Sequence, residues 1–379
     1  MTVSHWQTDP EPPLYETDFL IVGAGLTGCS AAIFATAAGH QVTLTDARGL
    51  GLGASSRNAG FLLSGIDAYY HRACERYGEA TVRELLALSL RTHEHWRRWA
   101  EGRTAITPSG TLLLAQTAAE ARDIERAARA LAAAGIEHIH HPRDPLERGY
   151  HAALERRQDA AVHPLALLQA VFDQSDATLL ENNAVHQLEA ATSDTVLVHS
   201  RRYRIRARHV LLCVNGYAPL LHPYFRGKIV PVRAQCTVTE PLEQSLLKTC
   251  GYADYGYWYF RETDDGRFLL GGGRAAHRDQ ENDTSEDRTT PAVQAEIDTY
   301  RQRHFPEIRV PVARRWAGIM GFSADGLPLV GRLPGLPQIG FALGFNGNGL
   351  ALAAGVAERA VELLLEGRHP GALAAERLR

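Results

Sequence analysis

Hydrophobic residues first form a continuous run at residues 18–22, DFLIV, which is the pattern of a strand buried on both faces. A glycine-rich stretch, GAGLTG, follows directly at residues 23–28, and small helix-compatible residues fill 29–38. A second β-rich run at 41–45 ends at Asp46. This order predicts a complete βαβ unit within about thirty residues.

The middle of the chain leaves this pattern and returns to it later, which predicts that another domain interrupts the first sheet. Alternation with aromatic residues around 231–235 and 257–273 is typical of an antiparallel sheet. The other predicted elements are helices at 70–99 and 118–134, strands at 111–114, 209–214 and 339–343, a surface loop at 279–288, turns over 315–331, and a helix that runs from a second glycine-rich loop, 344–349, to about Glu366.

Composition and charge narrow the class of protein. The 379 residues are 45% hydrophobic and 22% charged, as in a globular chain with a full core, and the formal net charge is -3. This charge gives no positive field for a nucleic-acid backbone or an anionic membrane. No apolar run approaches the ~18 residues of a membrane span, and the first residues lack the pattern of a signal peptide. The five scattered cysteines, without a CxxC pair, indicate a reducing compartment. We therefore expect a cytoplasmic protein.

Two groups of histidines are candidates for a metal site, namely His93 with His95, and His138 with His140 and His141. No cysteine or carboxylate completes a ligand set at a suitable spacing. We interpret them as surface histidines and predict no metal centre.

Residues 23–28 have the GxGxxG pattern of a dinucleotide site. Gly23 permits the tight turn, Gly25 lets the backbone approach a pyrophosphate, and Gly28 lets helix and strand pack closely. The helix N terminus supplies N–H donors to the phosphates. Asp46 stands where a carboxylate accepts hydrogen bonds from both hydroxyls of an adenosine ribose, which favours an unphosphorylated ribose over NADP. FAD and NAD both fit these residues.

The segment after the second strand, ASSRNAG at 54–60, resembles the second FAD motif of the D-amino-acid-oxidase-like flavoproteins, which include glycine oxidase, sarcosine oxidase and the γ-glutamylputrescine oxidoreductases. In that family the Ser-Arg-Asn stretch follows the diphosphate and ribityl chain to the flavin. Further family landmarks occur in the same order up to about Glu366. The cofactor-binding residues implied by this resemblance and by the glycine motif are Gly23, Gly25, Leu26, Thr27, Gly28, Asp46, Ala47, Ser55, Ser56, Arg57, Asn58, Ala59, Gly60, Val185, Asn215, Gly216, Trp316, Gly318, Gly344, Phe345, Asn346, Gly347, Asn348, Gly349 and Leu350.

The resemblance also implies the fold class. We expect an α/β (α+β, two-domain) protein in which a discontinuous Rossmann-like FAD-binding domain, of the glutathione-reductase-like FAD fold, carries an inserted antiparallel-sheet substrate domain. The expected division is a flexible N-terminal tail at 1–16, an FAD-binding domain at 17–87, 145–221 and 312–379, and a substrate-binding domain at 88–144 and 222–311.

Members of the family oxidise a C–N bond by passing hydride from the carbon beside a neutral amine to flavin N5, after which water hydrolyses the imine. The resemblance therefore implies bound FAD, a small-molecule amine substrate, and oxygen or another electron acceptor. The strand at 257–261 is expected over the flavin, where alternation places Tyr257, Tyr259 and Arg261 on one face as candidate catalytic and substrate-binding residues. The same pattern also suits an aromatic core strand.

Three departures from the family pattern affect the expected chemistry. Met320 stands where the amino-acid oxidases carry an arginine for the substrate carboxylate, so the catalytic face is expected to include Met320 and to take an amine other than a standard α-amino acid, such as a γ-glutamylated diamine. Arg261 or Arg274 is left to bind an anionic group. Residues 316–321 contain no cysteine, which predicts non-covalent FAD. Residues 268–271 lack the lysine that sarcosine oxidases place over the flavin, which leaves oxygen and other acceptors open.

Three alternatives stay open at this stage. The first is an oxidase of the glycine or D-amino-acid type with a relocated arginine. The second is a catalytically silent FAD-binding protein, and the third is an NAD dehydrogenase, which would be colourless after purification. The sequence does not indicate an oligomeric state.

Overall fold

A computed structural model gives the fold of the protein and describes residues 11–65 and 68–378. The strands in this part of the chain are β1 Leu14–Val22, β2 Val42–Thr45, β3 Phe61–Leu62, β4 Ile106–Thr107, β5 Thr111–Leu114, β6 Ile139–His141, β7 Ala153–Arg156, β8 Ala160–Val162, β9 Thr178–Leu180, β10 Val185–Ala190, β11 Val196–Ser200, β12 Arg204–Leu212, β13 Ile229–Pro241, β14 Cys250–Ala253, β15 Trp258–Glu262, β16 Arg267–Gly271, β17 Val312–Ser323, β18 Leu329–Leu333 and β19 Leu336–Leu343. The helices are α1 Leu26–Ala37, α2 Tyr70–Tyr77, α3 Glu79–Ala100, α4 Ala118–Ala133, α5 Pro164–Phe172, α6 Ala218–Leu221, α7 Arg278–Glu281, α8 Pro291–His304 and α9 Gly349–Glu366.

The first sheet is mixed and has the order β10-β11-β12-β1-β2-β9, with β19 added on β12 and β18 on β19. Strand β1 lies in its centre and pairs in parallel with both β2 and β12. The fully buried Phe19 and Ile21 pack into one core cluster with residues of α1 and α9, while Leu20 belongs to the cluster on the opposite face. The continuous apolar run at 18–22 is thus buried on both faces, and the predicted βαβ unit is confirmed.

The second sheet has the order β17-β13-β16-β15-β14-β5-β7-β6 and is antiparallel except where β14 pairs with β5. A small third sheet, β3-β8-β4, lies beside it. The interface between these two sheets is a cluster that contains Ala59, Phe61, Ala161, Cys250 and Leu269. One face of the second sheet therefore packs against the end of the 54–60 segment, and the expected α/β fold class with an inserted antiparallel sheet is confirmed.

The structure differs from the expected domain division in three places. Strands β7 and β17, assigned to the FAD-binding domain, are hydrogen-bonded into the second sheet. Helix α3, cut by the boundary at 87/88, is continuous and packs on α9, with Trp96 donating a hydrogen bond from Nε1 to the carbonyl oxygen of Leu350 at 2.7 Å. Residues 14–16, expected in the flexible tail, begin β1 because they continue its pairing with β12. Residues 1–10 of that tail lie outside the described residues.

Two further expectations differ from the structure. The turn expected within residues 315–331 lies at 324–325, but most of β17 precedes it, because the glycines Gly318 and Gly321 are accommodated by pairing with β13. The histidines His93 and His95 are not on the surface but are only 3% and 8% exposed, since both lie on the buried side of α3. Among the described residues no group of three or more histidines, cysteines and acids has a geometry for a metal ion. None of the described helices is long and apolar enough to span a membrane.

Candidate cofactor and substrate site

The turn between β1 and α1 is possible only because glycines stand at its contact points. Gly23 has a φ of +108°, which L residues rarely adopt. A Cβ on Gly28 would lie 1.9 Å from the carbonyl oxygen of Gly23, so helix and turn touch backbone to backbone. Gly25 precedes α1 and lies beside Ser55, whose hydroxyl accepts a hydrogen bond from the amide of Leu26 at 2.9 Å. The result is a helix N terminus that opens onto a cavity.

The Asp46 carboxylate is held at the rim of this turn by two backbone amides. Its Oδ2 accepts from the amide of Ala24 at 2.9 Å, and its Oδ1 accepts from the amide of Arg48 at 2.8 Å. Each oxygen retains a second lone pair, so an acceptor is fixed where β2 ends. This is the position at which the sequence predicts a ribose.

The 54–60 segment forms a compact loop tied to β17. The Asn58 side chain closes it, because Oδ1 accepts from the amide of Gly60 at 2.8 Å and Nδ2 donates to the carbonyl oxygen of Ser55 at 2.9 Å. Arg57 donates from Nη1 to the carbonyl oxygen of Ala317 at 2.8 Å, and its own carbonyl oxygen accepts from Nε1 of Trp316 at 2.9 Å. The segment thus connects the first sheet to the second, and Arg57 reaches the cavity with part of its hydrogen-bonding capacity already used.

The second glycine-rich loop is fixed by two asparagines in left-handed conformation. Asn215, with a φ of +42°, accepts at Oδ1 from the amide of Gly344 at 3.0 Å. Asn346, with a φ of +53°, accepts at Oδ1 from the amide of Ser323 at 2.9 Å. Helix α9 begins directly after this loop without a side-chain cap, and a Cβ on Gly349 would meet no atom within 4 Å. Its N terminus is therefore open towards the cavity, with the partial positive charge of a helix end.

These parts surround one cavity of about 580 Å³ that is mainly apolar. It extends from the β1–α1 turn and Val185 to the α9 loop and the face of the second sheet. The predicted cofactor residues that line it are Gly23, Gly25, Leu26, Thr27, Asp46, Ala47, Ser55, Arg57, Asn58, Ala59, Val185, Asn215, Gly318, Phe345, Asn346, Gly347, Asn348, Gly349 and Leu350. The others, Gly28, Ser56, Gly60, Gly216, Trp316 and Gly344, are not among the lining residues and lie behind the wall, where they hold the lining segments in place.

The four candidate catalytic residues do not lie together in one site. Tyr259 and Met320 line this cavity, and Tyr257 lines a second cavity beside it. Arg261 lines neither cavity: it is 4% exposed and donates from Nη2 to the carbonyl oxygen of Val162 at 3.2 Å. Alternation places Arg261 on the same face as Tyr259, but the third sheet covers that part of the face, so the expectation that Arg261 contacts substrate is wrong. Arg274, the other candidate, lies at the cavity wall with its guanidinium 4.4 Å from the ring centre of Tyr257.

Several lining residues were not predicted from the sequence. Arg48 pairs with Asp287 through Nη1 and Oδ2 at 2.5 Å, and Arg57 lies 3.4 Å from the same carboxylate. Burial lowers and the Asp287 carboxylate raises the pKa of Arg48, with a net increase above its ordinary value. Ser285 also lines the cavity. These contacts depend on the 279–288 segment folding back over the first domain, which the polar composition of that segment does not indicate.

The second cavity, of about 710 Å³, adjoins the first and shares part of its wall. The residues that line both are Leu63, Tyr252, Gly256, Phe322 and Asn346. Its remaining wall includes residues of helices α2, α3 and α4 and of strands β5 and β7, and it is rich in tyrosine and leucine. Of the shared residues, Tyr252 pairs with Tyr259 across two strands, and Phe322 follows Met320 by two residues on β17.

The profile of a protein family described as "DAO: FAD dependent oxidoreductase" matches residues 18–363, which is most of the chain. The chain belongs to this family. The DAO family consists of FAD-dependent oxidoreductases, so the predictions of an oxidoreductase and of FAD as cofactor are confirmed, and the NAD alternative is wrong. The elongated cavity, the glycine contacts of the β1–α1 turn, the fixed Asp46 acceptor and the open α9 terminus fit this cofactor.

Relatives and solved structures agree with this assignment. The chain is 26% identical to a probable oxidoreductase OrdL of Rhizobium meliloti over 91% of this chain and 84% of that protein. It is 25% identical to the γ-glutamylputrescine oxidoreductase of Escherichia coli, over 92% and 84%. The fold matches L-proline dehydrogenase from P. horikoshii with a TM-score of 0.77, 21% identity, and coverage of 94% of this chain and 95% of that one. Glycine oxidase from Geobacillus kaustophilus matches with a TM-score of 0.77, 21% identity, and coverage of 93% and 95%.

Proposed function

We propose that this DAO-family oxidoreductase oxidises the C–N bond of a primary or secondary amine that is not a standard α-amino acid. The observation that carries the proposal is the cavity wall formed by the second sheet, where Met320 and Phe322 of β17 and Tyr259 and Tyr252 of β15 and β14 line the cavity. Position 320 offers a thioether instead of a cation for a carboxylate at the reacting carbon. The γ-glutamylputrescine oxidoreductase among the relatives supports an amine as substrate.

FAD, when bound, supplies a hydride acceptor at its N5 atom, and the imine formed from the amine is then hydrolysed by water. The protein's own contribution is orientation and exclusion of water. Burial holds the pKa of Tyr259 far above its ordinary value, so its hydroxyl stays protonated and does not act as a base. The Tyr259 ring lies 5.9 Å from that of Tyr252 with the planes 29° apart, which forms an aromatic wall against which the substrate carbon chain can pack.

The open N terminus of α9 can stabilise negative charge in the cavity. A helix end carries partial positive charge that stabilises a neighbouring anion, and the cofactor gains negative charge on reduction. Gly347 and Gly349 leave this end free of side chains, and the nearest atom to a Cβ on Gly347 would be Sδ of Met320 at 3.7 Å. The helix end therefore favours the reduced state while the apolar Met320 limits water at the same place.

Non-covalent attachment of FAD is part of the proposal. Desolvation raises the pKa of the thiol of Cys213, which lines the cavity, well above the ordinary value, and this keeps the thiol unreactive. Acid precipitation should therefore release FAD into the supernatant. The apolar residues 268–271 provide no cation for oxygen activation, so the electron acceptor can be oxygen or another molecule. Mixing the reduced protein with aerated buffer distinguishes the two, because only an oxidase is reoxidised rapidly by oxygen.

The direct test is the absorbance of the purified protein under anaerobic conditions with a panel of amines and amino acids. Bleaching of the flavin bands by diamine derivatives, without bleaching by glycine, sarcosine or D-alanine, is the expected result. The variant Met320→Arg should gain reduction by D-amino acids, while Met320→Leu, the matched apolar control, should not. A protein that carries FAD and is bleached by no amine would refute the proposal and favour the catalytically silent alternative.

One observation favours a second candidate, an oxidase of the glycine or D-amino-acid type. Arg274 lies at the same end of the cavity, with its guanidinium 4.4 Å from the Tyr257 ring and 5.4 Å from the Phe322 ring. A cation between two aromatic faces can bind a carboxylate edge-on. Reduction by glycine or D-alanine that is lost in Arg274→Met would establish this candidate instead.

A further inference from the structure

The second cavity has a cluster of polar side chains in its wall. Arg156, the last residue of β7, lies there beside Asp159 and Ser64, and all three line the cavity. Ser64 connects them: its hydroxyl donates to Oδ1 of Asp159 at 2.5 Å and accepts from Nη2 of Arg156 at 3.2 Å. This cluster is separate from the residues assigned to the cofactor and to the reacting carbon.

Arg156 is held in place without a complete set of partners. Its Nε is buried and has no hydrogen-bond partner among the described residues. Burial lowers its pKa below the ordinary value, and the nearby Asp159 charge opposes that change. The half-buried Arg156 side chain lines the cavity, and a guanidinium with unused donor capacity binds an anion through charge-assisted hydrogen bonds.

The charge of the cavity wall points in the same direction. Its described lining contains the arginines Arg72, Arg76 and Arg156 and one carboxylate, Asp159. Arg72 already pairs with the carboxylate of Asp123, so the excess positive charge comes from Arg76 and Arg156. Asp159 is already used, because its Oδ1 also accepts from the amide of Ser64 at 2.9 Å. A second ammonium group of a free diamine would meet this positive wall unfavourably, whereas a carboxylate would be attracted to it.

The sheet register gives the separation between the two ends. Tyr259, Tyr252, Leu113 and Leu154 are successive neighbours across four strands, and Arg156 follows Leu154 by two residues on the same face. At about 4.8 Å per strand and 3.3 Å per residue, the Cα atoms of Tyr259 and Arg156 are about 16 Å apart. After the reach of the arginine side chain, a ligand must span on the order of 10 Å.

We propose that Arg156 binds a carboxylate at the far end of the substrate, so that the enzyme selects long amines that carry an anionic group remote from the oxidised C–N bond. This inference rests on the proposed function, which concerns the amine end of the substrate, and adds the chemical group at the opposite end. The apolar wall of leucine and tyrosine between the two ends fits the intervening carbon chain. In this role Arg156 determines specificity and takes no part in the oxidation.

The test compares acids with their amides. A series of ω-amino acids of increasing length, and the corresponding neutral ω-amino amides, are used for anaerobic reduction of wild type, Arg156→Met, Arg156→Lys and Arg157→Met. Arg157 is the matched control, since it is exposed on the same segment and pairs with Glu155 outside the cavity. Wild type and Arg157→Met should prefer long acids over amides by about tenfold to a hundredfold, and Arg156→Met should lose this preference. Arg156→Lys, which keeps the charge, should retain part of it.

A binding measurement separates this inference from the proposed function. Calorimetry with heptanoate and heptanamide, which have no amine to oxidise, should show tighter binding of the acid to wild type and equal binding to Arg156→Met. Equal binding of acid and amide to wild type, or a preference that survives in Arg156→Met, would overturn the inference. An Arg156-dependent preference in a protein that no amine reduces would uphold it and refute amine oxidation. Retained FAD content in each variant shows that the fold is intact.

Discussion

Replacement of Gly28 by alanine tests the contact on which the dinucleotide turn depends. The new Cβ would lie 1.9 Å from the carbonyl oxygen of Gly23 and 3.2 Å from Cγ2 of Ile21, and Cβ contacts below 3.0 Å essentially do not occur. Helix α1 and the turn must therefore separate by about 1.1 Å to reach 3.0 Å. Because both partners are backbone, no side-chain rotation relieves the overlap. Strain of this kind costs about 2–3 kcal/mol of folding free energy.

The same displacement should also weaken the binding of FAD. The amides at the start of α1 move out of line with the diphosphate, and the loss of one or two charge-assisted hydrogen bonds corresponds to about tenfold to a hundredfold in FAD affinity. Gly25→Ala is the comparison, because its Cβ would meet Oγ of Ser55 at 2.7 Å, which is the end of a side chain that can rotate. It should lower FAD affinity with little effect on the apoprotein.

The assay is thermal unfolding of both apoproteins and titration with FAD followed by quenching of flavin fluorescence. Gly28→Ala should lower the unfolding midpoint of the apoprotein by about 4 °C and also weaken FAD binding. Gly25→Ala should weaken FAD binding and leave the midpoint unchanged. Unchanged stability and affinity in Gly28→Ala would refute the reasoning that the backbone contact fixes the turn. A larger loss of apoprotein stability in Gly25→Ala than in Gly28→Ala would contradict it as well.

Three other predictions concern single interactions. Burial, with a smaller effect of the Arg97 charge, lowers the pKa of His93 from 6.5 to about 4, so the unfolded chain binds more protons than the folded protein below pH 6.5. The free energy of unfolding should therefore fall by about 3 kcal/mol as the pH drops from 6.5 to 4. Urea unfolding of His93→Gln should show a weaker dependence of this free energy on pH. Glu281→Ala leaves the 4%-exposed Arg233 without its bidentate partner and should cost about 3–5 kcal/mol in urea unfolding, a loss not expected for the exposed Glu286→Ala. Asp46→Asn replaces an acceptor of two backbone amides and should weaken FAD binding by about tenfold or more in the fluorescence titration, and unchanged affinity would argue against contact with the cofactor.

The first domain was predictable from the sequence because its signals are local. The β1–α1 turn places three glycines within six residues, and each has its own steric reason in the structure. The apolar run of β1 and the acid at the end of β2 belong to the same short unit. Where a feature depends on neighbours close in sequence, the residue pattern determines it, and the structure matches the expectation.

The misplaced features depend on contacts distant in sequence. Arg261 has the alternation of a residue facing the cavity, but Val162, about a hundred residues earlier, covers it. The extent of strand β17 is not evident from the sequence, because its glycines weaken the strand pattern, while pairing with β13 holds it extended. Asp287 reaches Arg48 across more than two hundred residues. No local period or motif records such contacts, so these positions required the three-dimensional structure.

The two cavities are lined by different parts of the chain. The cofactor end is built from β1, α1 and α9, whereas the wall opposite comes from β14, β15 and β17, and the polar far end comes from β7 and the segment after β3. Changes at Arg156 or Tyr255 therefore leave the glycine contacts of the first domain untouched. A family built this way can keep one cofactor site while the second sheet varies, which agrees with relatives that share the fold and carry different substrate names. The residues that line the second cavity should therefore determine which substrate this protein binds. The glycine motifs indicate only which cofactor it binds.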